Sequence, residues 1–209
     1  MSLASSVNAV QVVLQQKRVL LQRLSLCSTG ASAYADRCPL LGSSIGSHFR
    51  HSLNHIQVAV SPLVLLSSPL LSSCAAPFQP LEYDKRSRGT LVEVDIAEAL
   101  REVSSLSLVL SSFPTSQPSS SSSFPSCTSP VSVAFLLPPG SSSSSSAQYA
   151  STVGRELHFA FHHATHHLAV VAISLKARGL ADVLPKDEDG ETNFGKAPAT
   201  VAFEKQQLK

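Results

Sequence analysis

The sequence predicts an all-α fold, a single four-helix bundle over residues 1–209 that carries disordered Ser/Pro-rich insertions. Four long segments repeat apolar residues at helical spacing, whereas no segment shows the clear alternation of a β-strand. One long break, rich in serine and proline, precedes the last helical segment. With 209 residues, 43% of them hydrophobic, the chain is long enough for one domain with a buried core.

The first two helices are predicted over residues 3–26 and 43–61. The first segment contains no glycine or proline, and its apolar residues recur every three or four positions. Ser43 or Ser44 is suited to cap the second helix, because a serine hydroxyl can accept a hydrogen bond from a free backbone N–H. The second helix is expected to end just before Pro62, because proline lacks the N–H that continues a helix.

The segment that follows is apolar. Residues 58–78 carry no charge, and about 20 such residues could span a bilayer. Prolines interrupt the stretch and serine is frequent, so we interpret residues 62–80 as an inserted loop and expect no membrane span. The net charge of +2 likewise gives no strong attraction to nucleic acid or to an anionic membrane.

The third helix is predicted over residues 90–111. Thr90 and Glu93 have the spacing of a capping box, in which each side chain bonds the other's backbone N–H. Residues 112–146 contain long runs of serine and several prolines, so they are expected to form a disordered low-complexity insertion. Within it, only residues 131–137, "VSVAFLL", are apolar enough to dock locally.

The fourth helix is predicted over residues 147–178. Gly179 is suited to end it, because glycine readily adopts the left-handed conformation found after helices. The remaining tail is expected to be mostly irregular. No P-loop, GxGxxG or GxSxG motif is present, so the sequence does not indicate nucleotide binding by those routes or a serine nucleophile of that type.

The four cysteines indicate an intracellular protein with reduced thiols. They are widely spaced and form no CxxC pair, which argues against a zinc–thiolate site or a redox motif. We expect a cytoplasmic location. An alternative is a mitochondrial or plastid transit peptide, because the chain has no acidic residue before Asp36 but carries three basic residues and many serines there.

All eight histidines lie in two short windows, residues 48–55 and 158–167. His163 and His167 are four positions apart, the spacing by which a helix presents two imidazoles to one metal ion. They border the apolar side of the fourth helix. His158, His162 and His166 form a second stripe about 120° away on the same helix.

The second helix offers three further histidines. At about 100° per residue, His48, His51 and His55 share one face within roughly 60°. Periodicity alone favours His48 as the inward-facing residue, because it lies nearest the apolar side of that helix. Three histidines with an open coordination position are typical of a catalytic site for Zn, Ni or Fe. The alternative interpretation is a polar histidine face that titrates in solvent.

The loop before the third helix carries other candidate catalytic residues: Tyr83, Asp84 and Arg86. If this loop covers a metal site, Tyr83 or Asp84 could transfer protons and Arg86 could bind an anionic substrate. The alternative is an ordinary ion-paired loop. Glu156 at the start of the histidine helix is a further acid/base candidate, although it is most simply interpreted as a surface residue.

Several blocks together resemble the DinB-like (DinB/YfiT) superfamily. They are "SSIGSHFRHSLNH", "EYDKRSRGT", "GRELHFAFHHATHHLAVVAISLKARG" and "FGKAPAT". The resemblance implies a four-helix bundle with a long crossover between helices 2 and 3. It also implies a divalent metal held by His51, His163 and His167, with His48, His55 and His166 as the next candidates. Asn54 departs from the pattern, which usually has Asp there.

The superfamily includes thiol-dependent transferases and isomerases. The resemblance therefore implies a metal-dependent transferase, isomerase or hydrolase acting on a small molecule, with a thiol as one candidate. A homodimer is a further expectation. The alternative function is a non-catalytic metal-binding or scaffold protein, because a shared fold does not supply a substrate.

Overall fold

The computed structural model describes residues 2–67, 79–85, 87–113, 125–137, 146–187 and 190–207. Within these residues the chain forms six α-helices and three β-strands. The helices are α1 (Leu3–Leu26), α2 (Gly30–Ala35), α3 (Ile45–Leu66), α4 (Ile96–Ser111), α5 (Val153–Ala177) and α6 (Pro198–Gln207). The strands are β1 (Leu81–Glu82), β2 (Pro130–Leu136) and β3 (Ser146–Thr152).

The four long helices enclose the core. α1 packs against α4 and α5, and α3 packs against α5 and α4. Their apolar sides are fully or almost fully buried, and each fully buried Leu or Phe stabilises the fold by about 1.5–3 kcal/mol. The residues at the centre include Val10, Leu14, Leu21, Phe49, Leu53, Ile56, Val103, Leu110, Leu157, Ala164 and Leu168.

The prediction of an all-α four-helix bundle is wrong, because the chain also forms a three-stranded mixed sheet and two shorter helices. β1 pairs with β2 in parallel, and β2 pairs with β3 antiparallel in the register Val131↔Ser151 and Val133↔Tyr149. Val131 and Val133 point to the core, which gives β2 the alternation of a half-buried strand. β2 lies almost entirely within residues 131–137, the part of the Ser/Pro-rich insertion that was expected to dock locally. Residues 114–124 and 138–145 of that insertion lie outside the described residues.

Helix α3 continues through Pro62 to Leu66, so the predicted inserted loop does not begin at residue 62. Pro62 lacks the N–H that would bond the carbonyl of Val58. The Ser61 hydroxyl donates to that carbonyl instead, at 2.8 Å, which satisfies the acceptor that proline leaves free. Residues 68–78 of the apolar stretch lie outside the described residues. Among the helices that are described, none is both long enough and apolar enough to cross a bilayer.

Helices α3 and α4 each begin directly after the residue whose side chain caps them. Ser44 caps α3 by accepting from the backbone N–H of Ser47 at 3.0 Å, as one of the two predicted alternatives. The third helix does not begin at Thr90. Residues Leu91–Glu93 form a single 3₁₀ turn, and α4 begins after Asp95, whose carboxylate accepts from the backbone N–H groups of Ala97 and Glu98.

The last long helix is shorter at its start than predicted. Residues 146–152 pair with β2, so α5 begins at Val153, and Thr152 caps it. Gly179 ends the helix as predicted. Its backbone φ is 72°, a conformation that residues with a Cβ rarely adopt. No disulfide joins the described cysteines, at positions 27, 38 and 127, to one another; Cys74 lies outside the described residues.

Candidate metal centre

Three histidines meet where α3 packs against α5. His51 from α3 and His163 and His167 from α5 each offer a ring nitrogen, and these nitrogens lie within 4.8 Å of one another. All three side chains are half-buried. Because His163 and His167 are one helical turn apart, α5 presents both to the same point on α3. We call these three residues the histidine triad; the group could hold a metal ion.

The nitrogens of the histidine triad are close enough to share one ion. Nε2 of His163 lies 2.9 Å from Nε2 of His51. Two nitrogens that bind one tetrahedral ion at about 2.0–2.1 Å stand roughly 3.3 Å apart. The three rings meet edge to face, with centroids 4.7–4.8 Å apart. Small side-chain rotations would therefore bring the triad to the spacing that a metal ion requires.

Electrostatics favour the neutral, metal-binding form of His167. The pKa of its imidazole is lowered to about 2, mainly by burial, and the nearby His163, His51, His48 and Lys17 contribute in the same direction. A metal ligand must present a free lone pair, so an imidazole that is already neutral loses no proton on binding.

His48 lies beside the triad, not in it. Its Nδ1 is 3.0 Å from Nδ1 of His167, and its Nε2 is 2.8 Å from the hydroxyl oxygen of Ser43. Burial is the main cause that lowers the pKa of His48. Periodicity alone had favoured His48 as the inward residue of this helix, whereas the described structure groups His51 with the α5 pair.

His55 packs behind His163. The two rings stack with centroids 4.0 Å apart and planes 17° apart, and Nδ1 of His55 is 3.0 Å from the backbone carbonyl oxygen of His51. On α5, His162 and His166 are exposed, whereas His158, the third member of the second stripe, is half-buried, with its Nδ1 3.0 Å from the backbone carbonyl oxygen of Gly154. The ring of His166 touches that of His167 at 5.5 Å between centroids.

The loop residues predicted to be catalytic have structural contacts. The exposed Asp84 accepts a hydrogen bond from the backbone N–H of Leu136, at the end of β2, at 2.8 Å. Tyr83 is buried and stacks on His55 with centroids 5.1 Å apart. Its hydroxyl donates to Glu156 at 2.7 Å, and burial, followed by the charge of Glu156, raises its pKa. Arg86 lies outside the described residues.

Glu156 is fully buried, so its interpretation as a surface residue is wrong. Its carboxylate accepts hydrogen bonds from Tyr83 and, at 2.5 Å, from the hydroxyl of Ser151. It also pairs with Arg155 at 2.6 Å. A buried carboxylate is stable only with such partners. Glu156 thereby links the start of α5 to β3 and to the loop that carries Tyr83.

Sequence reasoning missed Lys17. This lysine is fully buried, its ammonium nitrogen lies 2.6 Å from the Ser52 hydroxyl oxygen, and it stands 4.4 Å from the centre of the Phe49 ring. Burial lowers its pKa to about 7. The signal was present in the sequence, because position 17 falls four residues after Val13 and three after Leu14, on the apolar side of α1.

No protein-family model, curated protein or solved structure matches this chain. The resemblance to the DinB-like superfamily therefore stays a prediction. The function is therefore inferred from the geometry of the residues in α3 and α5.

Proposed function

We propose that this chain binds a divalent transition metal through His51, His163 and His167. The observation that carries the proposal is the convergence of three ring nitrogens within 4.8 Å, on two helices that pack against each other. Neutral imidazoles are borderline ligands that suit Zn, Ni or Fe. Because each ligand stands on a long helix with a buried apolar side, the site is held in place before any ion arrives.

A catalytic role fits this ligand set. Three protein ligands leave a fourth coordination position for water or substrate, as in catalytic zinc sites. A metal in such a site would acidify a bound water or thiol towards neutral pH. We therefore propose a metal-dependent transferase, isomerase or hydrolase that acts on a small molecule, with a thiol as the candidate substrate class. The half-buried ligands leave an approach for such a molecule.

The contacts of the acidic groups favour a second candidate, a metal-binding protein without catalysis. Asp84 is engaged with the backbone of β2, and Glu156 is buried with Tyr83 and Ser151. Neither carboxylate is therefore positioned to act as a general base. A catalytic role would then depend on a nucleophile activated by the metal alone.

Metal content tests the proposal. Purified protein would be stripped with a chelator, reloaded with Zn²⁺ and analysed for bound zinc, alongside the variant His163→Ala/His167→Ala. The matched control is His162→Ala/His166→Ala, which removes two exposed histidines from the same helix. We expect one zinc per chain in the wild type and the control, and none in the triad variant. A wild type that takes up no metal, or a triad variant that retains it, would contradict the proposal.

Cobalt separates the two functional candidates. Co²⁺ in the same site would report its coordination by its visible absorption spectrum. Addition of a small thiol is expected to produce a thiolate-to-cobalt charge-transfer band if the fourth position accepts substrate. An unchanged spectrum at saturating thiol would favour the non-catalytic candidate.

A further inference from the structure

We propose that His48 is a positioning residue that orients His167 for metal binding through its Nε2 nitrogen. The inference rests on the proposed metal function and goes beyond it, since it assigns a role to a histidine outside the triad. The observation behind it is the contact between Nδ1 of His48 and Nδ1 of His167, 3.0 Å apart.

The contact decides which nitrogen of His167 faces an ion. Because Nδ1 of His167 is engaged with His48, Nε2 is the nitrogen left for a metal. Two imidazole nitrogens this close repel each other unless one of them carries a proton. A metal-bound Nε2 requires the proton of His167 to be on Nδ1, so Nδ1–H of His167 donates to the lone pair of His48 Nδ1.

Ser43 completes the arrangement. If His48 accepts at Nδ1, its own proton is on Nε2, which lies 2.8 Å from the Ser43 hydroxyl oxygen. A hydroxyl can accept that hydrogen bond while its own proton points elsewhere. Ser43 immediately precedes the residue that caps α3, and His48 stands in the first turns of that helix. The chain Ser43–His48–His167 therefore fixes both the tautomer and the ring orientation of one ligand.

Two observations argue against His48 as a fourth ligand. Among the described residues, the group of three or more side chains that could hold a metal ion consists of His51, His163 and His167, and His48 is not a member of it. Both ring nitrogens of His48 already have partners, Ser43 on one side and His167 on the other. Second-layer partners of this kind usually change metal affinity about 10- to 100-fold when they are removed.

Three variants test the proposal by competition of the folded, full-length protein with a chromophoric zinc chelator. His48→Leu removes the acceptor and is expected to weaken zinc binding roughly 10- to 100-fold while one ion still binds. His48→Asn keeps an acceptor near the position of Nδ1 and is expected to restore most of the affinity. His166→Leu is the control, because His166 touches the His167 ring from the exposed side without a contact between nitrogens.

A spectroscopic measurement separates positioning from general stability. In the zinc-bound protein, ¹⁵N NMR of histidine side chains is expected to show His167 bound through Nε2, with a slowly exchanging proton on Nδ1. That proton is expected to exchange faster in His48→Leu, and also in Ser43→Ala if His48→Leu does not fold. Circular dichroism confirms that each variant keeps its helices.

The outcomes distinguish this inference from the metal proposal itself. If the wild type binds zinc but His48→Leu binds it equally well, the positioning role is wrong while the metal site stands. Zinc bound through Nδ1 of His167, or a zinc-shifted signal from His48 itself, would also overturn it. If the wild type binds no zinc, both proposals fail together.

Discussion

At the residue scale, Lys17 makes the free energy of unfolding depend on pH. Its pKa is lowered from 10.5 to about 7 because burial disfavours the charged form. Between about pH 7 and 10.5 the unfolded chain binds a proton at this position and the folded chain does not. Stability therefore rises with pH across that window, and below pH 7 the full cost of burying the charge persists.

Replacement of Lys17 by methionine tests this dependence of stability on pH. Lys17→Met is expected to raise the free energy of unfolding at pH 6 by a few kcal/mol, because the buried charge is gone. The gain is expected to shrink as pH rises to 10, and urea denaturation at several pH values measures it. Lys176→Met, on the exposed side of α5, is the control and should change little at any pH. A constant difference between Lys17→Met and wild type from pH 7 to 10 would mean that Lys17 stays charged when folded.

Glu156 gives a second prediction at this scale. Glu156→Ala leaves the buried hydroxyl of Tyr83 without its acceptor, and an unsatisfied buried polar group costs about 1–3 kcal/mol. Glu156→Gln keeps an acceptor oxygen and is expected to cost less. Denaturation of the two variants measures the difference. Equal stabilities for both would show that the carboxylate does not support Tyr83.

The triad shows how far single residues can be predicted from sequence. The pairing of His163 with His167 follows from their spacing within one helix. The choice between His48 and His51 does not, because three positions separate them by only about 60° around α3. The rotation of α3 against α5 decides it, and that rotation depends on how core residues such as Phe49 and Ala164 pack. Whether the triad binds a metal stays a prediction.

At the element scale, local sequence predicts the bodies of helices better than their starts. The apolar period of α4 was evident, yet two plausible caps lie five positions apart, Thr90 and Asp95. The described structure uses Asp95. Glu93, which would complete a capping box with Thr90, instead accepts from the backbone N–H of Gly89 and pairs with Arg50. A contact with another helix thus overrides a local motif.

This difference predicts unequal effects of two substitutions. Asp95→Ala removes the acceptor for two backbone N–H groups and is expected to cost about 1 kcal/mol. Thr90→Ala is expected to be neutral or slightly stabilising, because the buried Thr90 hydroxyl has no hydrogen-bond partner among the described residues. Thermal or urea denaturation of both variants measures which substitution lowers the stability more. A larger loss in Thr90→Ala would support the capping box after all.

The sheet was missed for a different physical reason. β1 has only two residues and pairs with β2 about 50 positions later. A strand this short shows no alternation of apolar and polar residues from which it could be predicted. β2 carries the alternating valines of a strand, but prolines and serine runs surround it. Its partner β3 is mostly exposed and polar. The stability of such strands comes from pairing and from the helices they cover, which sequence composition does not reveal.

At the scale of the whole molecule, metal binding should stabilise the fold, because the ligands join two helices that are far apart in the chain. An ion that binds only the folded state adds RT ln(1 + [metal]/Kd), or about 4 kcal/mol at a free concentration a thousand times Kd. For a chain of this size that corresponds to a rise of roughly 8–16 °C in the melting temperature. Calorimetry with and without Zn²⁺ measures it, and a chelator should reverse it. The His163→Ala/His167→Ala variant is expected to lack the shift while His162→Ala/His166→Ala keeps it. A similar shift in both variants would place the stabilising ion elsewhere on the protein, and α3 and α5 would then be held together by their apolar sides alone.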